Sequence, residues 1–266
     1  MDRIYTQLTS QFRWLLVVVA LLAFVQPAHC QDEEVPEFET DRPDQAEAAS
    51  LVPRGTLQLE TGFFLQEDTE MGVEQKIRAY PTALVRLGVL NWLELRVQSA
   101  LRDSVMERRT RFRTSGFAPL TLGAKVKLWD EQGLRPQAAL MTMVTLPIGS
   151  RAFRPENPDP NFRALFKNSL TDNLALSYNL VYGWVGGDPV KGYAVSLGYD
   201  ITDKLTAFGE VYGDKQKGEE AEHAVDGGLM YMLLPNLQLD VAAGRALNDA
   251  APDYYFTAGF SWRIPR

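Results

Sequence analysis

Cysteine occurs once in the 266 residues and histidine twice. Cys30 has no partner for a disulfide. His29, His223 and one cysteine cannot make the spacing of a Cys/His metal site, and there is no glycine-rich phosphate loop. No nucleophile motif accompanies His223. The chain therefore reads as a non-enzyme with no cofactor and no metal. Beyond the first thirty residues, no apolar run reaches the ~20 residues of a transmembrane helix. That lack does not exclude a membrane β-barrel, which spreads its apolar residues over alternate positions.

The N-terminus differs from the rest. Arg3 and Arg13 precede an apolar stretch from Trp14 to Val25, and Ala28, His29 and Cys30 resemble a cleavage site before Gln31. Residues 1–30 are expected to be a secretory signal peptide. Pro27 and His29 fit poorly with the alternative, a lipoprotein signal acylated at Cys30. Removing this stretch, with Arg3, Arg13 and Asp2, takes the formal charge from −7 to −8. Residues 31–54, QDEEVPEFETDRPDQAEAASLVPR, are acidic, contain prolines and do not alternate. They read as an irregular periplasmic lead-in.

From Gly55 to the C-terminus the pattern is two-faced. LQLETGF (57–63), LELRVQ (93–98), LALSYNL (174–180) and LQLDVAAG (237–244) restate one alternation. The predicted strands are 56–65, 77–88, 93–100, 118–128, 136–146, 161–170, 174–184, 192–199, 205–212, 223–232, 237–245 and 254–264. Most approach the ~9–11 residues that a tilted strand needs to cross a bilayer. Short Asp-, Asn-, Gly- or Pro-bearing turns such as TDN (171–173) and LLPN (233–236) alternate with longer polar stretches. These include QEDTEMGVEQ, residues 101–117 and GSRAFRPENPDP, whereas GGDPV is short for an outer loop. Short turns at one rim and long loops at the other are the expectation for an outer-membrane barrel. Pro81 falls inside the second strand, where a closed sheet has no free edge, so a bulge is required there.

Sorting by parity separates the two faces. One set, including Leu59, Val85, Leu95, Leu140, Leu180 and Trp262, is nearly all apolar. The other holds Glu60, Arg78, Arg86, Glu94, Arg96, Lys125, Lys127, Arg163, Lys167, Glu210, Asp226, Asp240 and Arg263. A basic side chain facing lipid at the midplane costs about 2–4 kcal/mol. These thirteen groups are therefore expected to line the lumen as a solute pathway. The first six strands carry seven of the bases, and the last six carry three acids, so a basic wall would face an acidic one. A soluble β-sandwich could alternate in the same way. Export and the Tyr and Trp residues near strand ends (Tyr182, Trp184, Tyr193, Tyr199, Trp262) favour an interfacial girdle. The predicted fold is all-β: a transmembrane antiparallel up-and-down β-barrel of about 12 strands over residues 55–266, in the outer membrane.

Several phrases, in order, carry a resemblance: ETDRPD (39–44), GTLQLETGF, VRLGVLNWLELRV, FAPLTLGAKVKL, TLPIGS, TDNLALSYNLVYGW, LGYDITDKLTAFGEVYG and LPNLQLDVAAGRALNDAAPDYYFTAGFSWR. From Glu39 to Arg263 the chain resembles the transporter-like family named for a MetA-pathway of phenol degradation. The resemblance implies an outer-membrane barrel that passes small aromatic or hydrophobic compounds.

The leading functional expectation is a channel for small-molecule solutes. The alternatives are a structural or adhesive barrel with a filled lumen and a lipid-modifying barrel enzyme. Asp41 and Asp44 flank Arg42 in the acidic segment, and charge complementarity predicts that they enter the basic half of the lumen as a plug. The basic stretch RDSVMERRTRFR, in an outer loop, suits lipopolysaccharide phosphates rather than nucleic acid. The remaining expected partners are outer-membrane lipids and the barrel-assembly machinery, which would read the aromatic closing strand FSWRIPR.

Overall fold

A computed structural model describes residues 38–264 except Met71 and Arg109. The predicted signal peptide and residues 31–37 lie outside the described residues.

Thirteen strands follow one another: β1 (Leu57–Glu70), β2 (Val73–Leu90), β3 (Leu93–Glu107), β4 (Arg111–Phe117), β5 (Thr121–Trp129), β6 (Gln137–Thr145), β7 (Asp159–Thr171), β8 (Leu174–Val185), β9 (Asp188–Thr202), β10 (Leu205–Gln216), β11 (Glu222–Leu234), β12 (Leu237–Ala246) and β13 (Tyr254–Ile264). Each pairs antiparallel with its neighbours, and β1 pairs with both β2 and β13. The sheet therefore closes, and among the described strands only the short β4 keeps an unpaired side. β3 is long enough to serve two partners: Leu93–Gln98 pair with β5 and Leu101–Glu107 with β4. β4 and β5 occupy one lane, interrupted at residues 118–120, where Pro119 cannot donate to the ladder. The barrel thus has twelve lanes and one extra strand.

Most strands exceed the predicted boundaries, chiefly at the end away from the termini, whereas β5 and β6 are shorter than predicted and β13 matches. β2 has 18 residues and β3 has 15, beyond the ~9–11 that cross a bilayer. The expected alternation of loop length is corrected accordingly. Gln66–Glu70, Val73–Gln75 and most of 101–117 are strand, and Gly186 and Gly187 alone turn between β8 and β9. Both glycines have positive φ (61° and 92°), the conformation of a two-residue hairpin. Outside the hydrocarbon a strand needs no apolar face, so polar composition hid these extensions. Their outward rungs carry charge pairs instead, such as Arg113 to Asp103 at 2.8 Å.

The bulge required at Pro81 is present. Tyr80 and Pro81 together oppose Phe63 of β1 and Leu101 of β3, so the register shifts between Ala79 and Thr82. Beyond it the parity of β2 is inverted.

The outer surface is the apolar one. Leu180 is 60% exposed and Leu140 49%, whereas Arg86 and Lys125 on the opposite parity are at 0%. A soluble sandwich would show the reverse, so this surface requires acyl chains as its solvent. Among the described residues a small apolar cluster lies inside, with Ala49, Ala139, Met141, Met143 and Leu165 packed against Leu51.

Candidate functional site: the filled lumen

Residues 38–54 contact inward side chains from β1, β2, β3, β5, β7, β8, β10, β12 and β13. A segment touching the wall on every side of a closed barrel lies inside it. It enters from the rim that holds the start of β1, where Gly55 donates to Gly88 O at 2.8 Å.

Asp41 is the centre of the basic side. Its Oδ2 accepts from Arg96 at 2.6 Å and lies 3.3 Å from Arg86 Nη1, while Oδ1 accepts from Lys125 at 3.3 Å. The Asp41 amide donates to Glu60 at 3.1 Å, and Ala48 N caps Oδ1 at 2.9 Å. Burial alone would raise the Asp41 carboxyl, but Arg86, Arg96 and Lys125 outweigh it and hold it well below the usual range. Glu47 adds a second bridge, to Arg96 at 2.9 Å and Arg163 at 3.1 Å. Glu39 pairs with Lys167, which outweighs burial and lowers its carboxyl.

The backbone of the segment is satisfied by the wall as well. Lys125 donates to Ala48 O at 2.7 Å, Val52 N donates to Glu94 at 2.8 Å, and Glu47 N donates to Asn179 at 2.7 Å. Buried polar groups persist only with partners of this kind.

The acidic wall receives the other half. Arg42 forks onto Asp240 at 2.7 and 3.3 Å and donates to Thr257 at 2.9 Å. Its guanidinium fits a slot between Gly62 and Gly259, which are register partners on β1 and β13. A Cβ on either glycine would come within 2.7 Å of Arg42 Nη2. Gln45 N donates to Glu210 at 2.7 Å. Asp44 stands beside Glu210 and Asp226, and its carboxyl is raised well above the usual range by burial and then by those two neighbours.

The expected placement of the segment is thereby corrected. Asp41 contacts the bases, whereas Arg42 and Asp44 meet the acids, so the segment bridges both walls. Arg42 goes where a cation finds a carboxylate, and the short chain carries Asp44 with it.

Of the predicted lumen residues, Arg78 is not on that face. Its register partners are Leu65 and Asp103, both outward, and its guanidinium lies 4.0 Å from Asp103. The inversion at Tyr80 and Pro81 is the cause. Glu60, Arg86, Glu94, Arg96 and Lys125 meet in one buried cluster around Asp41. Lys127 shares the parity but sits at the inner rim, paired with Asp130. Arg263 stacks over the Phe38 ring at 5.1 Å, and Asp226 accepts the Tyr255 hydroxyl. Parity sorting restricted to charges passed over Asn179, Gln58 and Gln238; inward polarity was their signal. His223 faces outward, with Nδ1 3.1 Å from the Tyr193 hydroxyl.

On the far side of Gln45 a cavity of about 280 Å³ opens, lined among others by Phe64, Tyr212, Asp214, Glu222 and Tyr255.

A closed barrel with an oily exterior and a charged interior is the architecture of the bacterial outer membrane, and this chain is an outer-membrane β-barrel. Residues 40–264 match the family described as "Putative MetA-pathway of phenol degradation". The chain belongs to that family. Among solved structures it is similar to the COG4313 outer membrane channel from Pseudomonas putida F1, at 13% identity over 85% of this chain and 100% of that one, with a TM-score of 0.64. It is also similar to the transport unit of the autotransporter AIDA-I from Escherichia coli (7% identity, 85% and 92% covered, TM-score 0.53). The KdgM porin in complex with disordered oligogalacturonate matches at 10% identity, 78% and 98% covered, and a TM-score of 0.51. Comparison with curated proteins gave no match.

Proposed function

We propose that the protein is an outer-membrane channel for small molecules, closed by residues 38–54 acting as a plug. The carrying observation is electrostatic. Around Asp41 the wall supplies three buried cations (Arg86, Arg96, Lys125) and two carboxylates (Glu60, Glu94). The segment contributes the balancing charge: Asp41 offsets the excess cation of that cluster, and Glu47 offsets Arg163 at 3.1 Å. A wall that filled its own lumen for rigidity would pair its charges without a removable stretch of chain.

The solutes follow from the family description and from the wall. We read them as small aromatic or hydrophobic compounds, consistent with Phe64, Tyr212 and Tyr255 around the outer cavity. At the outer end, Arg111 and Arg113 on β4 and Arg78 on β2 face outward, and we assign them to lipopolysaccharide phosphates. The closing strand β13 is the element that the barrel-assembly machinery would read.

Deleting residues 38–54 and recording single-channel conductance and liposome swelling tests the reading. Conductance is expected to rise. Unchanged conductance would favour the rival reading, a structural barrel with a permanently filled lumen, for which the full burial of Arg86 and Lys125 speaks.

A further inference from the structure

The two ends of the segment are anchored by opposite chemistry. At the basic end every carboxylate has a cation. At the acidic end the balance is missing. Glu210 and Asp226 are direct register partners on β10 and β11, inward-facing and 2% and 7% exposed. Glu210 Oε2 accepts from Gln45 N, and Asp226 Oδ2 accepts from the Tyr255 hydroxyl. Glu210 Oε1 and Asp226 Oδ1 have no donor among the described residues. The two carboxyls face the lumen from the same rung of the β10–β11 ladder, and two ionised carboxylates there could not satisfy each other, since each only accepts.

Asp44, whose chain neighbour Gln45 is held by Glu210, brings a third carboxyl to the same place, on the rung where Ser196 of β9 partners Glu210. Among the described residues no Lys or Arg forms an ion pair with any of the three, and Arg42 is held by Asp240. The nearest other titratable groups facing inward are Tyr212 and Tyr255, with Asp214 and Glu222 further out, whereas Lys191, Tyr193, Tyr199, Lys215, His223 and Tyr231 have the outward parity. Three like charges this close in a water-poor interior cannot all be ionised.

We propose that Asp44, Glu210 and Asp226 form a proton-held latch: shared protons seat residues 44–45 on the acidic wall, and their release in alkali unseats the segment and opens the lumen. The proposal rests on the reading of the segment as a plug. Only O–H bonds break, and the protons go to water.

The sign follows from linkage. A carboxyl raised in the seated state, as Asp44 is, stabilises seating below its unseated value and loses that contribution as pH rises through the seated one. Asp41 is lowered, so its contribution is lost only in acid. Deprotonation of Lys125 would also loosen the segment in alkali, and variants separate the two causes.

The test uses the full chain in planar bilayers, titrated from neutral to alkaline pH. Wild type is expected to open with a slope of roughly tenfold in open-to-closed ratio per pH unit for each proton released. Asp44→Asn and Glu210→Gln are expected to lose that rise. Asp44 lies outside the barrel wall, so its variant does not put the fold at stake, and heat-modifiable gel mobility verifies both. Difference infrared spectra should show protonated-carboxyl bands at neutral pH that vanish over the same range and are reduced in Glu210→Gln. Variants that keep the alkaline rise, or a neutral-pH spectrum without protonated carboxyls, overturn the latch. Deleting residues 38–54 distinguishes the failures. An unchanged conductance on deletion removes the plug and the latch as a gate, whereas a raised conductance with pH-insensitive variants removes the latch alone.

Discussion

Asp41 and Arg96, 55 positions apart in the chain, meet at 2.6 Å inside the barrel with both side chains almost fully buried. The pair joins a stretch without regular structure to a strand of the wall. Removing one partner of a buried pair costs about 3–5 kcal/mol, because the other is left uncompensated. Asp41→Asn is therefore expected to destabilise the seated segment by that order and to raise the open probability in bilayers. The barrel should keep its heat-modifiable mobility, since the strand ladder is untouched.

Arg78 and Arg86 share a strand but not a face. Arg86 is fully buried against Glu60 and Glu94, and Arg78 is partly exposed near Asp103. Exposed pairs contribute about 0–1 kcal/mol, so Arg78→Leu is expected to be near neutral in urea unfolding from vesicles. Arg86→Leu should cost several-fold more.

The glycine slot predicts a coupling. Gly62→Ala places a Cβ against Arg42 Nη2 and Ala258 O, and overpacking costs about 1–3 kcal/mol. Combining it with Arg42→Ala should recover only the part due to the guanidinium. A double-mutant cycle on thermal stability should show a non-additive term, whereas additive costs would mean that the slot does not hold Arg42.

On the lipid side, Leu180→Arg should lower folding yield into vesicles, at a cost of about 2–4 kcal/mol. Leu180 is 60% exposed on the outward parity. A water-filled exterior would accept the arginine at no cost.

On the proposed reading of residues 38–54 as a plug, acid should also unseat them. Glu39 and Asp41 are both held below the ordinary carboxylate range in the seated state. Their contribution is present above the unseated values and lost as pH falls through the seated ones. Conductance measured on acidification should rise, and Asp41→Asn should flatten that limb.

Alternation carried the architecture. Leu57, Leu59 and their counterparts on later strands placed all twelve lanes, because burial in lipid demands strict period two. It failed above the bilayer, where Asp103, Arg113 and Lys76 pair sideways and no apolar face is needed. It failed again at Arg78, because a bulge shifts parity by one and its direction depends on pairing that no single strand records. For the lumen, the bases of β2 to β7 were legible as charges on the wrong side of an oily sheet. The contacts of Glu39, Asp44 and Glu47 were not, since a stretch without period leaves its path to the walls around it.

Arg42 ends on Asp240 and Thr257, which belong to the penultimate and last strands. The first described stretch of the polypeptide thus takes part of its grip from the last two of the thirteen strands. Arg42 therefore has no acceptor until the final hairpin has joined the cylinder, whereas Asp41 draws on β1, β2, β3 and β5 alone, so the two anchors of one short stretch are completed at different times.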